Sequence, residues 1–205
     1  MKRIKDDVFV YAEGGGEGAL AAEMRQAFAE FLGKTALGAA RRPRVVPCGS
    51  RTDALHSFTT AIKQGRNALL LVDSEVPVAG LDQPWAHLAK SDGWPTPESA
   101  DDRDCHLMVQ CMETWFLADW RSLSSFYGQG FNEKLKRPLG VESVSKQEVL
   151  NLLARATKDC KTKAKSSYIK ANHSFKLMSL VSAEAVCAAS PWARRFVEEL
   201  LRRKP

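Results

Sequence analysis

The sequence predicts an α/β protein: a largely parallel sheet with helices on both faces over residues 1–120, followed by a helical C-terminal portion over 121–205 packed on it. Three observations carry this. Strand-like and helix-like patterns alternate along the first half of the chain, which implies crossover connections and parallel strands. Ala68-Leu69-Leu70-Leu71-Val72 is apolar at every position, as a strand covered on both faces must be. After Trp120 only helical patterns continue.

The elements follow in order. Val8-Phe9-Val10-Tyr11 is a short run of β-formers that stops at Ala12-Glu13-Gly14-Gly15-Gly16. Leu20, Met24, Ala27, Phe28, Phe31 and Leu32 then recur at helical spacing, closed by Gly33. Arg44-Val45-Val46-Pro47-Cys48 reads as a second strand, and Leu55, Phe58 and Ile62 mark a helix ending near Gly65. The third strand, Ala68–Val72, ends at Asp73-Ser74-Glu75. Pro84, Pro95 and Pro97 limit the next stretch to a short helix around Trp85–Lys90. Cys105–Gln110 is a fourth strand running into a helix over Met112–Asp119. Ser145-Lys146-Gln147-Glu148 has capping-box spacing and opens a helix through Leu150 and Leu153. Ser167–Val181 is a further helix, and Ser190-Pro191 opens a last amphipathic one with Trp192, Phe196, Leu200 and Leu201.

Composition narrows the class. With 44% hydrophobic and 26% charged positions in 205 residues, the chain is a folded globular protein. Its longest apolar run is far short of the ~20 residues a membrane helix needs. The charged start, Met1-Lys2-Arg3-Ile4-Lys5-Asp6-Asp7, does not read as a secretory leader, so a cytoplasmic location is expected. Five cysteines without a CxxC pair suggest reduced, buried thiols rather than a disulfide framework. The net charge of +6 is unevenly spread. Asp73–Asp119 holds ten acids and two bases, whereas Arg155–Lys176 holds seven bases and one acid.

The strongest constellation joins two strand ends. Glu13 follows the first strand within Glu13-Gly14-Gly15-Gly16-Glu17, and Asp73 and Glu75 follow the third. Ligands of an open parallel sheet collect at the carboxyl ends of its strands, which lie ~5 Å apart. Converging carboxylates repel one another unless a cation neutralises them. Mg²⁺ or Mn²⁺ suits all-oxygen ligands and keeps waters for a substrate phosphate. With Ser74 between them, Asp73 and Glu75 are expected on the same side of the strand.

At these residues the sequence resembles the Toprim fold of topoisomerases, bacterial primases and old-type nucleases, which carries a Glu in an E-G-x-x-D/E element and a later D-x-D pair. Glu13-Gly14-Gly15-Gly16-Glu17 matches the first element, and Asp73-Ser74-Glu75 matches the second with Glu for its final Asp. Further segments, Gly49-Ser50-Arg51, Met108–Asp119 and Tyr168-Ile169-Lys170, look like the Toprim-like family catalogued as domain of unknown function 4276. That resemblance covers nearly the whole chain. It implies an effector subunit beside an ATPase partner of the kind found in phage-defence systems.

Rival motifs are weaker. Gly14-x-Gly16-x-x-Ala19 fits a dinucleotide fingerprint, yet Glu17 would repel a pyrophosphate and no ribose-binding acid follows the second strand. Gly33-Lys34-Thr35 mimics the end of a P-loop, but Phe28 stands where its first Gly belongs. A competing reading takes the acids as solvated strand ends. Glu113 begins the element after the fourth strand and is a candidate additional ligand or supporting carboxylate. Arg51 stands ready for a phosphate or for a carboxylate. Lys161, Lys163, Lys165 and Lys170 are candidate phosphodiester contacts, with Tyr168 available for stacking on a base.

The reading is therefore a Toprim-like, divalent-metal-dependent nuclease acting on DNA or RNA, with Glu13, Asp73 and Glu75 catalytic and Glu13, Glu17, Asp73, Glu75 and Glu113 around the metal. The alternative is a non-catalytic module that binds an ATPase partner or a nucleotide through the same acidic pocket. At 205 residues, the further domains that a topoisomerase or primase needs are not expected.

Overall fold

The computed structural model describes residues 7–38, 42–81, 83–135, 140–161 and 166–203. Four parallel strands, β1 (Phe9–Ala12), β2 (Arg44–Pro47), β3 (Ala68–Asp73) and β4 (Cys105–Met108), form one sheet in the order β2-β1-β3-β4. The register sets Ala12 beside Pro47 and Leu71, and Asp73 beside Met108, so all four carboxyl ends share one edge.

Helices cover both faces, as the apolar third strand requires. All six residues of β3 are buried, and they divide by the pleat. Leu69 and Leu71 join Val10, Met24, Phe28, Phe31 and Trp115 in one core, whereas Ala68, Leu70 and Val72 join Tyr11, Phe58, Trp85 and Leu107 in a second. The first face is covered by α1 (Gly18–Gly33), and the second by α2 (Arg51–Lys63) and α3 (Pro84–Asp92). Gly93 ends α3 in a left-handed conformation.

From Trp120 on, the regular elements of the described residues are helices: α4 (Trp120–Tyr127), α5 (Lys146–Ala156), α6 (Lys170–Leu180), α7 (Ala183–Ala189) and α8 (Pro191–Arg203). Leu153, Leu177, Met178, Phe196 and Leu200 bury in the same cluster as Val10 and Leu71, so the C-terminal portion shares the core of the sheet's first face. Ser145 and Glu148 form the expected capping box of α5. No helix among the described residues is long and apolar enough to cross a membrane. The five cysteines are free, with Cys105, Cys111 and Cys160 buried.

Several boundaries differ from the sequence reading. Met112–Ala118 is a 3₁₀ segment rather than an α-helix, buried from Met112 through Leu117. It stops because Asp119 accepts from the Ser122 amide at 3.1 Å and thereby caps α4. The helix expected from Ser167 begins at Lys170, because the Tyr168 amide donates to Thr157 Oγ1 and the Ile169 amide to His173 Nδ1. Ser182 caps α7, an element the sequence reading lacks.

Two tethers yield predictions. Lys34, just beyond α1, donates through Nζ to the carbonyls of Ser179, Leu180 and Val181 at 2.5, 3.0 and 3.2 Å, binding the last turn of α6. Lys34→Met is expected to cost about 1–2 kcal/mol, since hydrogen bonds to charged groups contribute most. A fall in melting temperature of roughly 2–8 °C would register it. The second tether is His106, fully buried on β4. Arg195 donates to His106 Nδ1 at 3.0 Å, so Nε2 carries the hydrogen donated to the Arg103 carbonyl at 3.0 Å. Burial, then the Arg195 charge, lowers the proton affinity of His106 well below the ordinary histidine value. The unfolded chain therefore takes up a proton near pH 6.5 that the folded chain refuses. This contribution is complete above that pH and declines below it by at most about 1.4 kcal/mol per pH unit. Urea titrations of the native chain and His106→Gln at pH 7.5 and 5.5 should diverge accordingly.

Candidate metal centre

The carboxyl edge of the sheet places three acids by different local means. Glu13 follows β1 directly, its amide donating to the Leu71 carbonyl at 3.0 Å. The chain then turns sharply, with Gly14 and Gly49 exchanging backbone hydrogen bonds of 2.8 and 2.9 Å. Gly15 sits there at φ +73°, and a Cβ on it would lie 2.7 Å from Pro47 Cβ and 2.8 Å from Met24 Sδ. Only glycine lets the turn fold this closely over β2 and α1. Asp73 closes β3, with its amide donating to Glu13 Oε2 at 2.9 Å and its Oδ1 accepting from the Met112 amide at 2.9 Å. Glu75 arrives differently from expectation. Its φ of +62° is left-handed, so a turn, not strand alternation, swings it back to the cluster while its amide donates to the Gln110 carbonyl.

One oxygen from each of Glu13, Asp73 and Glu75 lies within 4.8 Å of the others. Burial, then the charges of Glu13 and Glu113, raises the proton affinity of Asp73 well above the usual carboxylate range. Burial raises Glu13 too, opposed in part by the Asp73 amide and Lys146.

Three cations surround this group. Lys146, the first residue of α5, puts Nζ 2.5 Å from Glu75 Oε1 and 3.6 Å from Asp73 Oδ2. Burial opposes its charge, yet the Glu75 hydrogen bond and the Asp73 charge hold its proton affinity above the ordinary lysine value. Arg51, first in α2, pairs with Asp92 through both terminal nitrogens, lies 4.9 Å from the Trp94 ring centre, and brings Nε to 3.9 Å from Glu13 Oε2. Lys170, first in α6, stands 3.1 Å from Glu113 Oε1.

The remaining expected residues fall in distinct places. Glu17 is the exposed N-cap of α1 and is not one of the three convergent acids. Glu113 is fully buried and is also outside that trio; Tyr168 Oη and Ser174 Oγ each lie 3.2 Å from its Oε1. Tyr168, expected to stack on a base, therefore turns its hydroxyl inward, because a buried carboxylate needs donors. Lys161 is exposed, whereas Lys163 and Lys165 lie outside the described residues. Lys146 and Ser174 were missed. Both lie far along the chain from their partners, so no local pattern announces them. A cavity of about 480 Å³ opens beside two of the three acids, Glu13 and Asp73, with Gly14, Lys170, Ser174 and Phe175 among its other lining residues.

The chain matches over residues 12–201 the model of a family described as a domain of unknown function, DUF4276. It belongs to that family. Neither the comparison with curated proteins nor that with solved structures returned a match. The DUF4276 match runs from the last residue of β1 through the rest of the sheet and into the last of the C-terminal helices. It thus includes the three acids as well as two lysines of the helical portion, Lys146 beside Asp73 and Lys170 beside Glu113.

Proposed function

We propose that this DUF4276 protein is a Toprim-type, divalent-metal-dependent phosphodiesterase acting on DNA or RNA. The observation that carries the reading is the convergence of Glu13, Asp73 and Glu75 within 4.8 Å at the carboxyl edge of the sheet. The donor set fits Mg²⁺ or Mn²⁺: three carboxylates, no sulfur or imidazole, and a buried Asp73 whose charge is disfavoured without added positive charge. When bound, the ion would neutralise charge on the scissile phosphate and acidify a water.

The chain's own groups supply the rest. Glu13, oriented by the Asp73 amide and flanked by Arg51, either shares the metal or accepts the proton of the attacking water. Lys170 and the exposed Lys161 offer charge to the polymer backbone. Protons compete with metal for the raised Asp73, so affinity should increase with pH. The effector role beside an ATPase partner rests on the family resemblance alone and would be tested by co-purification with a neighbouring ATPase.

Lys146 favours a second reading. An ammonium already seated between Glu75 and Asp73 leaves the cluster partly neutralised without a metal, as a non-catalytic binding module requires. Mn²⁺ titration separates the two. The nuclease reading expects saturable heat, a rise in melting temperature and cleavage of single-stranded, duplex or RNA substrates, all lost in Glu13→Gln. A protein that ignores Mn²⁺ and cuts none of these is the binding module.

A further inference from the structure

The cavity beside the three acids has a chemistry that phosphodiester hydrolysis alone does not require. Glu13 and Asp73 line it. Elsewhere it is lined by Leu20, Met112 and Phe175, of which Leu20 is 39% exposed, an apolar group held open at the rim of an acidic site. Lys170 also lines the space. The tip of the Phe175 ring lies 3.7 Å from where a Cβ on Gly14 would be, so the ring borders the glycine turn. At about 480 Å³ the space falls within the range of small-molecule sites, about 300–1,000 Å³.

From this juxtaposition we infer that the cavity is a single-nucleotide slot: one unstacked nucleobase lies against Phe175, Leu20 and Met112, with its phosphate between Lys170 and the acids. A flat apolar ring joined to an anion matches a cavity lined by apolar as well as charged side chains, and aromatic faces take any base because every base has a π-face. The substrate is then an unpaired nucleotide, at a strand end or in a single strand, rather than continuous duplex. The placement of the phosphate rests on the phosphodiesterase reading; the base site does not.

Calorimetry with the full-length protein, with and without Mn²⁺, tests it using AMP, UMP and ribose 5-phosphate. Both nucleotides should bind about tenfold or more tightly than ribose 5-phosphate. Phe175→Ala should erase most of that difference, and Ala171→Trp, which fills the lined space from α6, should abolish nucleotide binding, while both variants retain the native response to Mn²⁺. Equal binding of AMP and ribose 5-phosphate overturns the slot, whatever Mn²⁺ does. Base discrimination that persists in a protein deaf to Mn²⁺ supports the slot and removes the nuclease instead.

Discussion

Asp73→Asn is expected to abolish Mn²⁺-dependent cleavage and to raise the melting temperature of the metal-free protein. The two effects have one cause. Asp73 is 2% exposed and faces Glu13, Glu113 and Lys146, so its ionised form is disfavoured by burial and by the neighbouring acids. A carboxylate with raised proton affinity in the folded state binds more protons there than in the unfolded chain, and stability falls as pH rises through that range. An amide cannot ionise, and its oxygen can still accept the Met112 amide bond that Asp73 Oδ1 now holds at 2.9 Å. The gain should be about 1 kcal/mol at pH 8, roughly 2–4 °C in a chain of this size, and should shrink toward pH 5. The metal response runs the other way. The native protein at one hundred times its dissociation constant for Mn²⁺ should gain about 2.7 kcal/mol. Asp73→Asn should gain almost none of it. Differential scanning with and without Mn²⁺ reads both effects, and a metal-free variant that melts well below the native chain would show that Asp73 is a structural carboxylate.

What the sequence made legible follows the range of the forces involved. Strand ends are local, so Glu13 after Val10-Tyr11-Ala12 and Asp73 after the wholly apolar third strand could be placed on one edge, and the parallel sheet brings them together. Glu75 was reached for a reason that does not hold in detail, since its left-handed φ rather than strand alternation turns it toward Asp73. The helix starts with side-chain caps, Ser145 above all, were legible because the capping bond is formed within four residues. Tyr168 and Lys146 were not, and for opposite reasons. Tyr168 sits in a basic segment whose composition suggests a solvent-facing surface, yet Glu113, 55 residues away and fully buried, draws its hydroxyl inward. Lys146 stands inside a capping motif that explains it locally, and its second role depends on Glu75, 71 residues away. Long-range pairing of charges is a property of the fold, and neither periodicity nor turn chemistry encodes it.

Lys146→Met should tighten Mn²⁺ binding. In the metal-free protein the ammonium supplies the positive charge that the acids need, 2.5 Å from Glu75 and 3.6 Å from Asp73. A divalent ion among the same oxygens meets that charge at close range, where even two unit charges 4 Å apart interact by about 4 kcal/mol near a protein surface. Lys146 is partly exposed and can swing away, which relieves much of this but not all. We expect a dissociation constant about 10–100-fold lower in Lys146→Met, equivalent to about 1.4–2.7 kcal/mol. The metal-free variant should melt lower than the native chain, increasingly so at higher pH, because the acids lose their internal counter-charge. Cleavage decides where the displaced ammonium goes. If it moves to the substrate phosphate, Lys146→Met will hold Mn²⁺ more tightly and yet cleave more slowly, a combination that simple removal of a competitor does not produce. Weaker Mn²⁺ binding in the variant would instead show that Lys146 holds Glu75 in place for the metal, so that the lysine organises the centre rather than competing for it.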